Sequence, residues 1–98
     1  MRTAAKRDAD EEEHILMLRY LGATKIVKHS NRDEPDLWAL FPWGWIAVEV
    51  KSKGGKLTPG QVKWHASLAG SPFACVAYSP SDLPGLVSAA RVARVGGA

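Results

Sequence analysis

Two apolar runs, DLWALF from Asp36 to Phe41 and WIAVEVK from Trp45 to Lys51, are separated only by Pro42, Trp43 and Gly44. Both runs are short and bounded by turn residues, with aromatics in the first and β-branched side chains in the second, which is strand composition. A connection this short that holds a proline and a glycine has room only for a reversal, so the runs predict an antiparallel hairpin. A hairpin excludes an all-helical bundle and obliges the rest of the chain to cover a sheet.

The flanking sequence supplies the covers. Ile15, Leu18 and Leu21, followed by Gly22, predict an amphipathic helix from about Asp10 to Leu21. Thr24 to His29 reads as a short strand, SNRDEP as a break, and KSKGGK as a basic, glycine-bearing loop. Thr58 is a good N-cap with Pro59 behind it, so a second helix runs from about Pro59 to Leu68 and stops at Gly70. PFACVAY is a buried strand, and SPSDLPGLVSAARVAR is a connection and a last helix with a loose tail. The order is αβββαβα in one domain, residues 1–98, with its centre at about 10–84. A chain of this size buries roughly 60 to 70% of its unfolded surface around a single core.

Charge is distributed unevenly. Net charge is +3, but Asp8, Asp10, Glu11, Glu12 and Glu13 are five of the ten acids, so from His14 onward ten bases face five acids. A basic body suits a polyanionic partner. No apolar run is long enough to span a membrane, and MRTAAKRDADEEEH lacks the apolar centre of a secretory signal, so a cytoplasmic chain is expected. The single Cys75 in FACVAY reads as a buried strand thiol.

Strand alternation then gives the hairpin chemical content. Trp45, Ala47, Glu49 and Lys51 share one face of their strand, and Ile46, Val48 and Val50 share the other. Asp36 begins the partner strand, so the hairpin brings two carboxylates together beside one lysine. Carboxylates packed closely repel unless a cation sits between them, and an oxygen-loving divalent ion such as Mg²⁺ satisfies both.

At these residues the chain resembles a known family. Pro35-Asp36 followed by Glu49-Val50-Lys51 has the form of the PD-(D/E)xK nuclease motif, and PDLWAL, VEVKSKGGKLTPGQVKWHASLAG and FACVAYSPSDL together resemble the VRR-NUC (virus-type replication-repair nuclease) domain. The resemblance covers about residues 10–84. It implies a restriction-endonuclease-like α/β fold with an αβββαβ core, a mixed central sheet and flanking helices, similar to Holliday-junction resolvases. It also implies roles. Asp36 and Glu49 would be metal carboxylates, the Val50 carbonyl a further ligand, Lys51 the group that orients the attacking water, and Gln61 the glutamine near the carboxylates. A first-helix glutamate completes the acidic cluster in related nucleases. Glu11 heads the apolar stripe and is the first choice, with Glu12 next and Glu13 facing solvent. The expected cofactor is Mg²⁺, with Mn²⁺ as substitute, and Lys28, Lys53, Lys56 and Lys63 are the expected DNA contacts.

Plainer explanations exist for the same residues. Glu49 and Lys51 also fit an ordinary same-face ion pair, Gln61 a polar helix start, and the loop lysines a solvated surface. His14, His29, His65 and Cys75 have no zinc spacing, and His65 reads as a packed histidine. GGKLT fails as a phosphate loop, because Leu57 stands where the hydroxyl is needed. Trp43 and Trp45 flank the hairpin turn and are expected to form an exposed aromatic patch, which suits either stacking on unpaired bases or a protein interface; the interface of a homodimer is the preferred expectation. The resulting expectation is a metal-dependent endonuclease for branched DNA such as four-way junctions; the alternatives are a catalytically silent DNA-binding module of the same fold and a flap or restriction-type nuclease.

Overall fold

The computed structural model describes residues 2–30, 33–52, 54–68 and 70–96, with side chains described from Glu11 onward. Helix α1 (Arg2–Tyr20) leads into β1 (Lys25–Lys28), β2 (Leu37–Phe41), β3 (Gly44–Val50), α2 (Pro59–Ala66) and β4 (Ala74–Ala77). A 3₁₀ turn (Pro80–Asp82), α3 (Leu83–Arg91) and a π turn (Val92–Gly96) complete the described chain. The fold is α/β, with a four-stranded mixed sheet and three α-helices. Among the described residues no helix is long and apolar enough to cross a membrane.

The sheet order is β1-β2-β3-β4, antiparallel across the first three strands and parallel between β3 and β4. The expected hairpin is present: Leu37 pairs with Val48 and Phe41 with Gly44, leaving Pro42 and Trp43 as the turn. The parallel pair is joined through α2, because parallel strands need a crossover long enough to return the chain to its starting end.

Alternation divides the sheet into two unlike faces. Leu37, Ala39, Phe41, Ile46, Val48, Cys75 and Ala77 point to one side, where Ile15 and Leu18 of α1 and Leu83, Val87 and Ala90 of α3 complete a single buried cluster. The other side carries Trp38, Leu40, Trp45, Ala47 and Glu49, and α2 approaches it through Gln61.

Several boundaries differ from those the sequence predicts. Helix α1 starts at Arg2 rather than near Asp10. That first segment has no apolar stripe, but its alanine, lysine and arginine residues are good helix formers. The helix ends as expected in a Schellman arrangement: Gly22 sits at φ +114°, its N–H donates to the Arg19 carbonyl, and the Ala23 N–H donates to that of Leu18. Helix α2 ends at Ala66, short of Leu68. The expected last helix is present as α3, with Leu83, Val87 and Ala90 buried on one stripe.

The tryptophan patch also changes. Trp43 occupies the turn rather than a strand, and its ring stacks on Phe41 with centroids 4.8 Å apart, against the core. Trp45 stands on the opposite face of the sheet and is the exposed member of the expected pair.

Candidate active site

The end of β3 gathers the chemistry. Glu49 is 1% exposed although it is a carboxylate, a position tolerated only with polar partners. Its Oε2 accepts a hydrogen bond of 3.1 Å from Gln61 Nε2 and lies 3.9 Å from Lys51 Nζ. Lys51 is two residues along the strand, hence on the same face, and its side chain is mostly covered.

The start of α2 fixes Gln61. Thr58 is the N-cap: its Oγ1 accepts from the Gln61 N–H at 3.2 Å, and Gln61 Oε1 accepts from the Thr58 N–H at 2.9 Å. This capping box satisfies two backbone donors at the helix start. It also determines which end of the Gln61 amide is free to donate, and that end is the one bonded to Glu49.

Asp36 arrives from the neighbouring strand. Its Oδ2 accepts from the Val50 N–H at 2.9 Å, which sets its carboxylate against the peptide that follows Glu49. The break before it is tied down at both ends, with His29 Nε2 2.5 Å from Glu34 Oε1 and the His29 N–H donating to the Asp36 carbonyl. Asp33 touches the beginning of α2, where its carboxylate fills the space that a Cβ on Gly60 would occupy. A carboxylate at a helix N-terminus is favourably placed against the helix dipole.

Asp36, Glu49, Val50, Lys51 and Gln61 are therefore neighbours. Glu11 belongs to α1 and pairs with Lys28 Nζ at 3.5 Å. Glu12 and Glu13 are exposed, so Glu11 is the most inward of the three glutamates, as its stripe position predicts. Lys56 and Lys63 are exposed, Lys28 is occupied by Glu11, and Lys53 lies outside the described residues.

Sequence reasoning placed His65 as a packed histidine but gave no position to His14 or Trp38. His14 is buried on α1, one turn after Glu11 on the same stripe, and that spacing is the signal that could have found it. The buried Nε1 of Trp38 and Nε2 of His65 have no hydrogen-bond partner among the described residues. Burial holds the His65 pKa below its usual 6.5, so its ring is neutral at pH 7. Burial also pushes the Cys75 thiol up to about 12, which keeps it protonated and unreactive.

A hard divalent ion fits this donor set. Glu49 is a buried carboxylate at a strand end, Asp36 is beside it, and the Val50 carbonyl belongs to the same segment; all three offer oxygen, as Mg²⁺ or Mn²⁺ requires. No group of three His, Cys, Asp or Glu side chains forms a metal cage among the described residues. The protein's share would be small, and Mg²⁺ typically keeps several waters in such sites. Comparison with protein-family models, curated proteins and solved structures finds no match for this chain.

Proposed function

We propose that the chain is a metal-dependent endonuclease of the PD-(D/E)xK type, resembling VRR-NUC domains and sharing their restriction-endonuclease-like core, that hydrolyses phosphodiester bonds in branched DNA. The observation that carries this reading is the buried Glu49 carboxylate, held between Gln61 Nε2 and Lys51 Nζ with Asp36 against the next peptide. An exposed ion pair needs no such support, because it contributes under about 1 kcal/mol and survives without fixed geometry.

Asp36, Glu49 and the Val50 carbonyl would hold Mg²⁺ or Mn²⁺. The ion, when bound, supplies charge neutralisation at the phosphate and a more acidic water. The chain's own groups do the rest. Gln61 keeps the Glu49 carboxylate in one orientation, and Asp36 is aimed by the Val50 N–H. The Lys51 ammonium lies beside Glu49 and presents its protons to the attacking oxygen or to a phosphate oxygen. Lys56 and Lys63 add positive charge on the solvent side, for phosphate contacts that position DNA without reading sequence.

The test is incubation of the protein with end-labelled four-way, flap, splayed and linear DNA in Mg²⁺ or Mn²⁺, and with chelator. Cleavage is expected only with metal. Asp36→Ala and Glu49→Ala should each reduce it by about a hundredfold or more while DNA is still bound. Cleavage in chelator, or full activity in both variants, refutes the proposal. DNA binding with no cleavage under any condition would instead favour the silent binding module.

A further inference from the structure

Among the described residues, the sheet face that carries Glu49 is only partly covered. Helices α1 and α3 pack on the opposite face, and α2 has eight residues, about 12 Å of helix, with Gln61 fixed over the Glu49 end. Ala47 and Glu49 of β3 are buried on this face, so its open part lies over β1 and β2, where Lys25 and Val27 are exposed and Asp36, Trp38 and Leu40 are half-buried. Lys25, Leu40 and Trp45 form one rung and Val27, Trp38 and Ala47 the next, with Asp36 and Glu49 following at the site. Trp45 is 41% exposed and Val27 38%.

We propose that this face is a platform for an unpaired nucleic-acid strand. Trp45 stacks on a base, Lys25 contacts the backbone, and the strand is led across β2, past Leu40 and Trp38, to Asp36 at the site. The inference rests on the nuclease reading above and deepens it: the substrate is DNA with an unpaired segment beside the scissile bond. Trp45 and Glu49 are four residues apart on one strand, roughly 13 Å, so a base stacked at Trp45 lies close to the phosphates held at the site.

Two observations select this occupant. The first is charge. Neither rung between the turn and the active site holds an acidic side chain, and Lys25 and Lys51 stand at the two ends of the surface. The second is area. Trp43 is stacked on Phe41 toward the other face, so exposed Trp45 is left to offer roughly 100 Å². A stable dimer needs about 800 Å² from each partner, whereas one exposed indole suffices to stack a base. A base presents its face to an indole only when it is out of the duplex stack, which is why the partner is unpaired.

The experiment compares the full chain with Trp45→Ala, Trp45→Phe and Lys25→Ala. Affinity is measured in chelator for a fluorescein-labelled splayed duplex with unpaired thymidine arms and for the blunt duplex of the same paired sequence. The ratio of splayed to blunt affinity should fall about fivefold or more in Trp45→Ala and be largely kept in Trp45→Phe. Lys25→Ala should flatten the salt dependence of splayed binding by about one contact. A ratio unaltered by Trp45→Ala overturns the platform, as does a wild-type dimer in light scattering that Trp45→Ala dissociates. Cleavage assays in Mg²⁺ separate the two ideas. Cleavage with an insensitive ratio refutes the platform and leaves the nuclease, whereas a Trp45-dependent ratio without cleavage supports the platform and refutes the nuclease.

Discussion

At the scale of single residues, Gln61 joins two functions that substitution can separate. Its Oε1 and N–H complete the capping box with Thr58, and its Nε2 donates to Glu49. Glutamate serves a capping box as well as glutamine does, but it would set a second carboxylate against Glu49. Gln61→Glu is therefore expected to keep the α2 cap while lowering cleavage about tenfold or more; circular dichroism and turnover measured together check both halves. His65 gives a pH dependence. Its folded pKa lies below 6.5, so the unfolded chain binds the proton more readily. The contribution to stability is complete above that value and is lost as pH falls below it through the folded pKa. The urea midpoint should thus decline from about pH 7 toward pH 5, and His65→Leu should flatten the slope. The pairing of Glu49 with Lys51 was legible because strand alternation alone puts both on one face. That Gln61 holds Glu49 rather than Lys51 or a phosphate was not legible, because it depends on where the crossover sets α2 over the sheet.

At the scale of elements, the hairpin turn and the C-terminal segment constrain each other. Gly44 has φ +144°, a conformation side chains rarely adopt, and a Cβ there would collide with the Arg94 guanidinium. Arg94 also lies 4.2 Å over the Phe73 ring. Gly44→Ala is expected to destabilise the protein by about 1–3 kcal/mol, and Arg94→Ala added to it should restore only part, because the backbone strain remains. Chemical denaturation of the two single variants and the double variant measures the shares. The glycine in FPWGW announced a turn, but nothing local in the sequence could announce an arginine fifty residues later that seals it. Helix α3 was expected, but the sheet face that Leu83, Val87 and Ala90 cover was not, for a related reason: the partner strands lie far away in sequence. The N-terminal half of α1 was missed because periodicity detects an apolar stripe, whereas propensity alone also favours a helix.

At the scale of the whole molecule, the α/β class and the order of elements followed from alternation, breaks and caps. The uneven cover of the sheet did not. One face receives two helices and the other a single short one, and helix faces seen one at a time do not say which side of the sheet each will choose. The mixed sheet also implies an order in time. Strands β1, β2 and β3 are neighbours in sequence and pair antiparallel, so closing them costs little chain entropy. Strand β4 reaches β3 only after the intervening loop and α2, a longer and slower closure. In pulse-labelled hydrogen exchange, the Val50 N–H bonded to Asp36 should gain protection with the meander, and the Lys51 N–H bonded to the Ala77 carbonyl should follow later. Gln61 lies on the late segment, so Glu49 would spend the early part of folding without its amide partner, and the constellation would be finished by the last strand to dock.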